Sequence, residues 1–210
     1  MAEFINTVDV IGDDAVADGI LNRSIVEYND DRVTSIGPLA LTLCTELTSV
    51  DFPMVTTIGN NAFDGCTNLT NVNFPNAHTV GTTAFNGCSV LSNVCFPALK
   101  QVPATAFQTC TELATADFAV ANDFRKDSFK NCYKLTGLII RNIDGVAYSY
   151  GGILSGTPIA SGTGYIYVPA ALVSDYKSNT GWSKYANQFR ALEDYTVDGT
   201  TTGELDPTKI

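Results

Sequence analysis

Residues 59–75 read G-N-N-A-F-D-G-C-T-N-L-T-N-V-N-F-P, and residues 81–97 read G-T-T-A-F-N-G-C-S-V-L-S-N-V-C-F-P. The two stretches agree at Gly, Ala, Phe, Gly, Cys, Leu, Asn, Val, Phe and Pro, always 22 residues apart. The same interval links Cys44, Cys66, Cys88, Cys110 and Cys132, and leaves only Cys95 out of step. A fixed period between 20 and 50 residues is the signature of a structural repeat. Working outward from the cysteines, the unit has Leu47, Leu69, Leu91, Leu113 and Leu135 three residues on. Phe52, Phe74, Phe96, Phe118 and Ile140 stand eight residues on. Ile36, Ile58, Val80, Val102 and Phe124 stand eight residues before. Five units keep register without insertion over residues 32–141.

The L-x-x-V-x-F stretch ends in apolar positions two apart, which is strand alternation with Val and Phe facing inward. The trailing Pro53, Pro75 and Pro97 cannot donate to a ladder, so they close the strands. The A-F-x-G-C stretch predicts a tight turn or a one-turn helix, with Gly65 and Gly87 suited to a left-handed position. One such unit cannot bury its own apolar positions, whereas stacked units form a continuous core. The expected fold is a repeat solenoid, α/β to mainly β. It has a parallel sheet on one face, short helical turns on the other and a cap at each end. Its repeats cover 32–141, between an N-terminal capping unit (1–31) and a C-terminal cap (142–195) of one strand and two short helices. Residues 196–210 read as a flexible tail.

In such a stack the cysteines need no chemistry. Each is a small buried hydrophobe above its equivalent, and the expected state is a ladder of free thiols. No C-x-x-C pair or Cys/His cluster suggests zinc. Cys95 lies between inward Val94 and Phe96 and is expected to point outward.

The chain has 210 residues, 45% hydrophobic and only 16% charged, with a net charge of −10. Residues 1–31 carry −7 and residues 193–210 carry −4, so the body between them is nearly neutral. No basic stripe exists to neutralise phosphates, which argues against nucleic acid and against an anionic membrane surface. No segment offers the roughly 18 apolar residues of a membrane helix. Met1-Ala2-Glu3-Phe4-Ile5 lacks the basic and apolar regions of a secretory signal. The expectation is a chain not exported by that route, or one that starts after its signal.

At the N-terminal end, a frame shifted back by 22 residues puts Ile25 on the Leu position, Tyr28 on the Val position and Asp30 on the Phe position. This is a degenerate first unit, preceded by a short helix predicted over 13–21. At the C-terminal end, residues 165–168 read as a strand and residues 170–177 as a short helix after Pro169. Trp182, Tyr185, Phe189 and Leu192 share one helical face, which predicts a second helix over 182–192. Trp182 and Tyr185 read either as a sugar platform or as a cap packed on the last coil.

Catalytic constellations are missing from the sequence. The lone His78 sits on a connection between coils, and no nucleophile elbow, phosphate loop or H-E-x-x-H motif is present. The expectation is no enzyme, no cofactor and no metal. Asp13, Asp14, Asp18, Asp30 and Asp31 lack the spacing of a calcium loop and read as a solvated cap. Binding has better prospects. The residues that alternate with inward Val and Phe form outward rows, from which Asp51, Asn71, Asn73, Asn93 and Asp117 are the candidate ligand-binding positions. These rows are short, polar and nearly uncharged. They suit hydrogen bonding to a glycan or peptide, and equally a merely solvated sheet.

The units at 59–75 and 81–97 resemble BspA-type leucine-rich repeats. The stretches S-G-T-P-I-A-S-G-T-G-Y-I-Y-V-P (155–169) and Y-K-S-N-T-G-W-S-K-Y-A (176–186) resemble the terminal segment of such proteins in gut bacteria and their prophages. The resemblance implies a curved solenoid with a surface role in adhesion or recognition and no catalytic residues. The leading expectation is a monomeric recognition module, extracellular, on a cell surface or on a virion. Its partner would be a host or bacterial surface protein or glycan. The alternative is a structural spacer or phage appendage component without its own ligand. The absent signal sequence departs from the secreted members and favours the phage origin.

Overall fold

The computed structural model describes residues 10–11, 24–194, 196–197 and 200–201. The helix predicted over 13–21, with its acids Asp13, Asp14 and Asp18, lies outside the described residues, as does most of the tail. In chain order the repeat strands are β1 (Val10–Ile11), β2 (Glu27–Asn29), β3 (Ser35–Ile36), β4 (Ser49–Asp51), β5 (Thr57–Ile58), β6 (Asn71–Asn73) and β7 (Thr79–Val80). They continue as β8 (Asn93–Cys95), β9 (Gln101–Val102), β10 (Thr115–Phe118), β11 (Asp123–Phe124), β12 (Gly137–Ile140) and β13 (Tyr148–Ser149).

Every repeat contributes two strands. The even-numbered strands stack in parallel in a step of one unit, so Tyr28 faces Val50 and Val50 faces Val72. That register places Tyr28 on the Val row of the degenerate first unit, where its ring meets Phe52 edge-on at 5.0 Å. The odd-numbered strands form a second parallel column, with Ile36 facing Ile58 and Ile58 facing Val80. The sequence marks these positions as apolar, but two-residue strands are too short to show alternation.

The third side of each coil is built of hydrogen-bonded turns rather than helical turns. Asn61 and Gly65 take φ of 57° and 73°, and the equivalents Thr83 and Gly87 take 56° and 71°. A left-handed residue every fourth position stops a helix from propagating. The turns are tied to the next coil by main-chain bonds, such as Phe63 N–H to Ala84 O at 2.8 Å and Phe85 N–H to Ala106 O at 2.9 Å.

The core is a set of one-dimensional ladders. Phe63, Phe85, Phe107 and Phe129 stack face to face, with centroids 5.1–5.5 Å apart and planes within 6°. Phe52, Phe74, Phe96 and Phe118 form a second stack at 5.9–6.4 Å. The five cysteines in register are fully buried and carry no disulfide. Four of them donate to a carbonyl of the preceding coil, Cys66 to Leu41 O at 3.1 Å, Cys88 to Phe63 O, Cys110 to Phe85 O and Cys132 to Phe107 O. Burial pushes the Cys66 and Cys132 thiols up to about 12, so they stay protonated.

Beyond the repeats, helix α1 (Pro158–Ser161) is capped by the Thr157 hydroxyl. Strand β14 (Tyr165–Val168) joins the sheet beside β12. A 3-10 turn (Ala170–Leu172) leads into helix α2 (Val173–Ser178). The single helix expected over 182–192 is absent. A 3-10 helix covers only Ser183–Gln188, and Phe189 turns to extended backbone with ψ of 132°. Strand β15 (Phe189–Ala191) then pairs with β14. Pairing satisfies the main-chain groups along β14 and still buries Phe189, so the 3-4-3 spacing describes burial without describing one helix. Trp182 and Tyr185 are buried in the cap rather than exposed as a platform. The Trp182 indole N–H donates to Ala147 O at 2.6 Å, and its ring packs edge-on against Phe124. In the described part of the tail, β16 (Thr196–Val197) and β17 (Thr200–Thr201) form a short antiparallel pair.

One interface departs from the repeat. The even column is a sheet from β2 to β6 and another from β8 to β15, and the odd column divides between β7 and β9. Both ladders therefore stop between residues 71–80 and residues 93–102, while the turn side continues unbroken through Asn61, Phe63 and Gly65. Pro103 is the local cause on the odd column. Gly59, Gly81 and Arg125 each donate an N–H to the coil before, to Ile36 O, Ile58 O and Val102 O. Pro103 holds the same register and has no N–H to give. Arg125 also carries a Cβ and keeps its bond, so the missing donor is the difference.

Candidate recognition face

Alternation along the even strands sends one residue in two out of the sheet, and the 22-residue register aligns these into rows. The rows differ along the solenoid. Asp51, Asn71 and Asn73 are exposed, and Asn93 and Cys95 are half-buried. Further on, Asp117 and Ile139 are only 4% and 1% exposed. The face is open in its N-terminal half and closed in its C-terminal half.

The open half holds a shallow cleft of about 320 Å³ that runs over β4, β6 and β8. Asp51, Asn71, Asn73 and Asn93 all line it, together with Asn29, Thr70, Ser92 and Cys95, and with Pro75 and Pro97 at the strand ends. Sequence reasoning missed Asn29 and the two prolines as lining residues, although the shared register of the prolines is visible. The side chains are tied into a cross-coil network. Asn73 donates to the Asp51 carboxylate at 2.8 Å, and Thr115 donates to Asn93 Oδ1. Asn71 and Asn93 each donate to the hydroxyl just before them, Thr70 and Ser92, at 3.2 and 3.1 Å. The Thr70 hydroxyl in turn bonds the Thr48 carbonyl of the previous coil at 2.9 Å. These amides are held in place before any ligand arrives.

Asp117 does not belong to the cleft, contrary to the sequence expectation. Its carboxylate is forked by Arg141, whose Nε lies 2.9 and 3.1 Å from the two oxygens and whose Nη2 lies 2.8 Å from Oδ2. Burial pushes this carboxyl above the ordinary range, against the pull of the guanidinium. The clue was present in the alternation, which continues outward through Gly137 and Ile139 to Arg141. Cys95 points outward as expected. Burial, followed by the nearby Asp117 charge, pushes its thiol up to about 11.

The cleft contains no nucleophile paired with a base. His78 is exposed on a different connection, and its Nδ1 lies 3.2 Å from the Thr79 hydroxyl. Among the described residues, no group of three or more His, Cys, Asp or Glu could hold a metal ion, and no helix is long and apolar enough to cross a membrane.

Comparison with known proteins agrees with this architecture. The structure resembles a leucine-rich cell surface protein from Faecalibacterium prausnitzii A2-165 (TM-score 0.51, 21% identity), covering 70% of this chain and 47% of that one. It also resembles a leucine-rich repeat protein from Bacteroides ovatus (TM-score 0.51, 24% identity), covering 71% of this chain and 45% of that one. The chain spans about half the length of the solved structures it matches. No curated protein matches it significantly. The family model of the BspA-type leucine-rich repeat region matches residues 3–149 in six copies, one more than the five regular units and consistent with the degenerate first coil. The chain belongs to the BspA-type leucine-rich repeat family.

Proposed function

We propose that this chain is a non-catalytic recognition module, displayed on a cell surface or a virion, that binds host protein or glycan through the N-terminal half of its strand face. The observation that carries this reading is the cleft of pre-positioned amides and hydroxyls over β4, β6 and β8. Leucine-rich repeats are commonly protein-interaction modules, and extended solenoid faces are where repeat proteins meet partners. The matched structure from Faecalibacterium prausnitzii is described as a cell surface protein, which supports display at a surface. The test is capture of host matrix proteins and arrayed glycans by the purified chain, beside the double variant Asn71→Arg plus Asn93→Arg. Capture that the variant loses supports the module. Capture that the variant keeps, or none, overturns it. The second reading, a structural spacer, is favoured by the share of the matched structures that this chain covers, 47% and 45%. It requires the chain to be an integral part of purified particles or appendages.

A further inference from the structure

We infer that the cleft over β4, β6 and β8 takes a neutral saccharide. This rests on the recognition reading above and names its ligand class. At about 320 Å³ the cleft lies at the lower end of small-ligand sites. Apart from Asp51, its polar lining is mainly carboxamides and hydroxyls, led by Asn71, Asn73, Asn93, Thr70 and Ser92. Each amide offers two donors and an acceptor with two lone pairs, and each amide N–H used internally leaves further positions for a ligand. A sugar hydroxyl is both donor and acceptor, so a row of amides matches a row of hydroxyls. Asp51 is the only charged residue in the lining, and it accepts bonds without offering any. Sulfated, sialylated or phosphorylated ligands would find no cation there and would meet a carboxylate.

A protein partner fits less well. Protein hot spots are built from Trp, Tyr and Arg, and the cleft lining holds none of these. Pro75 and Pro97 supply apolar surface, suited to the C–H face of a pyranose ring. The interrupted ladder contributes as well. The cleft extends over β6 and β8 where they are not hydrogen-bonded to each other, and half-buried Val72 belongs to its wall. Main-chain groups between these strands are therefore not committed to a ladder. A shallow site without an aromatic anchor binds weakly, with a Kd of about 1 mM.

The experiment is saturation-transfer NMR on the full chain, with lactose, mannobiose and chitobiose as neutral probes and sialyllactose and a heparin-derived tetrasaccharide as charged ones. Saturable contact with at least one neutral probe is expected. It should weaken at least ~10-fold in Asn71→Ala plus Asn93→Ala, a variant whose thermal melting checks that it still folds. Charged probes should bind no better than their neutral counterparts. Failure of all three neutral probes at tens of millimolar, tighter binding of the charged probes, or binding indifferent to the variant overturns the assignment. If sugars fail while matrix-protein capture is still lost in the arginine double variant, the saccharide class falls and the recognition face stands. If both fail, both readings fall.

Discussion

Replacing Phe85 by alanine should split the unfolding of the solenoid in two, whereas the same change at Phe107 should only weaken it. The two rings are closely matched. Each is fully buried, and each stacks between two phenylalanines of its own ladder with planes within 6°. Each also leans on two rings of the other ladder, Phe74 and Phe96 for Phe85, and Phe96 and Phe118 for Phe107. Truncating a buried Phe costs about 3–5 kcal/mol, and backbone-spaced ladders leave little room for collapse, so about 4 kcal/mol is expected at either site. The interfaces behind them differ. Across the coil boundary that Phe107 secures, main-chain bonds include Ala114 N–H to Ser92 O, Phe96 N–H to Asp117 O, Asn122 N–H to Lys100 O and Arg125 N–H to Val102 O. The boundary between residues 71–80 and 93–102 lacks the equivalent ladders. At about 1 kcal/mol net for each bond, that boundary is weaker by about 4 kcal/mol before any mutation.

In a repeat array, cooperativity depends on nearest-neighbour coupling. Phe85→Ala takes two of the three ring contacts that cross the weak boundary, Phe63–Phe85 and Phe74–Phe85, and leaves Phe74–Phe96. The assay is urea unfolding followed by two probes. Trp182 is the only tryptophan and is buried in the C-terminal cap, so its fluorescence reports the block after the boundary, while far-UV circular dichroism reports both blocks. For Phe107→Ala the two curves should coincide at a lower midpoint. For Phe85→Ala they should separate, with a smaller slope for each block. Restoring the one odd-column donor in the Phe85→Ala, Pro103→Ala double variant should narrow the separation. Coincident curves with equal midpoint shifts in both single variants would refute the idea that the ladder gap is a mechanical weak point.

Ser128 occupies the slot held by Ala40, Ala62, Ala84 and Ala106 in the other coils, and its buried hydroxyl has no hydrogen-bond partner. Ser128→Ala should therefore stabilise the fold by about 1 kcal/mol and raise the Tm by about 2–4 °C in a scanning melt, and a lowered Tm would contradict this. Native-state alkylation should reach Cys95 first, since the other five thiols are buried. With its pKa pushed up to about 11, about one Cys95 in a thousand is a thiolate at pH 8. Labelling followed by mass spectrometry should thus quicken nearly tenfold per pH unit towards pH 10, and a rate that levels off below pH 9 would rule out the raised value. Asp117, raised chiefly by burial, binds its proton more tightly folded than unfolded, so its contribution is full below the ordinary carboxylate range and is lost as pH rises through the raised value. The stability advantage of the wild type over Asp117→Asn should shrink from about pH 4 upward in denaturant titrations, and an advantage that grows with pH would show the ion pair outweighing burial.

The repeat interior was legible because each apolar row recurs at a fixed offset from a cysteine. Register, inward Phe and the thiol ladder all follow from one period. What escaped the sequence depends on contacts between coils. Asp117 alternates outward as expected, but the Arg141 guanidinium that closes over it arrives from the next coil. Phe189 belongs to an apolar stripe of helical spacing, yet the main-chain groups along β14 draw it into a strand. The left-handed positions were readable at Gly65 and Gly87 but not at Leu43 or Thr109, where neighbouring coils impose φ of 56° and 58° on residues that disfavour it.

These departures from the repeat, more than the repeat itself, delimit the recognition face. A perfect array would present the same polar rows at every coil and would offer a ligand no preferred position. Pro103 removes a donor from the odd column at the boundary where the two ladders stop, and the cleft of Asn71 and Asn93 opens over the even column at that same boundary. One coil further on, the Asp117–Arg141 fork and buried Ile139 close the face. The opening and the closure fall on either side of Cys95, so the cleft ends where the sequence stops repeating its small polar residues. A ligand that recognises this chain does so at the exceptions, and substitution of Arg141 should move the closed edge of the cleft without touching any residue that lines it.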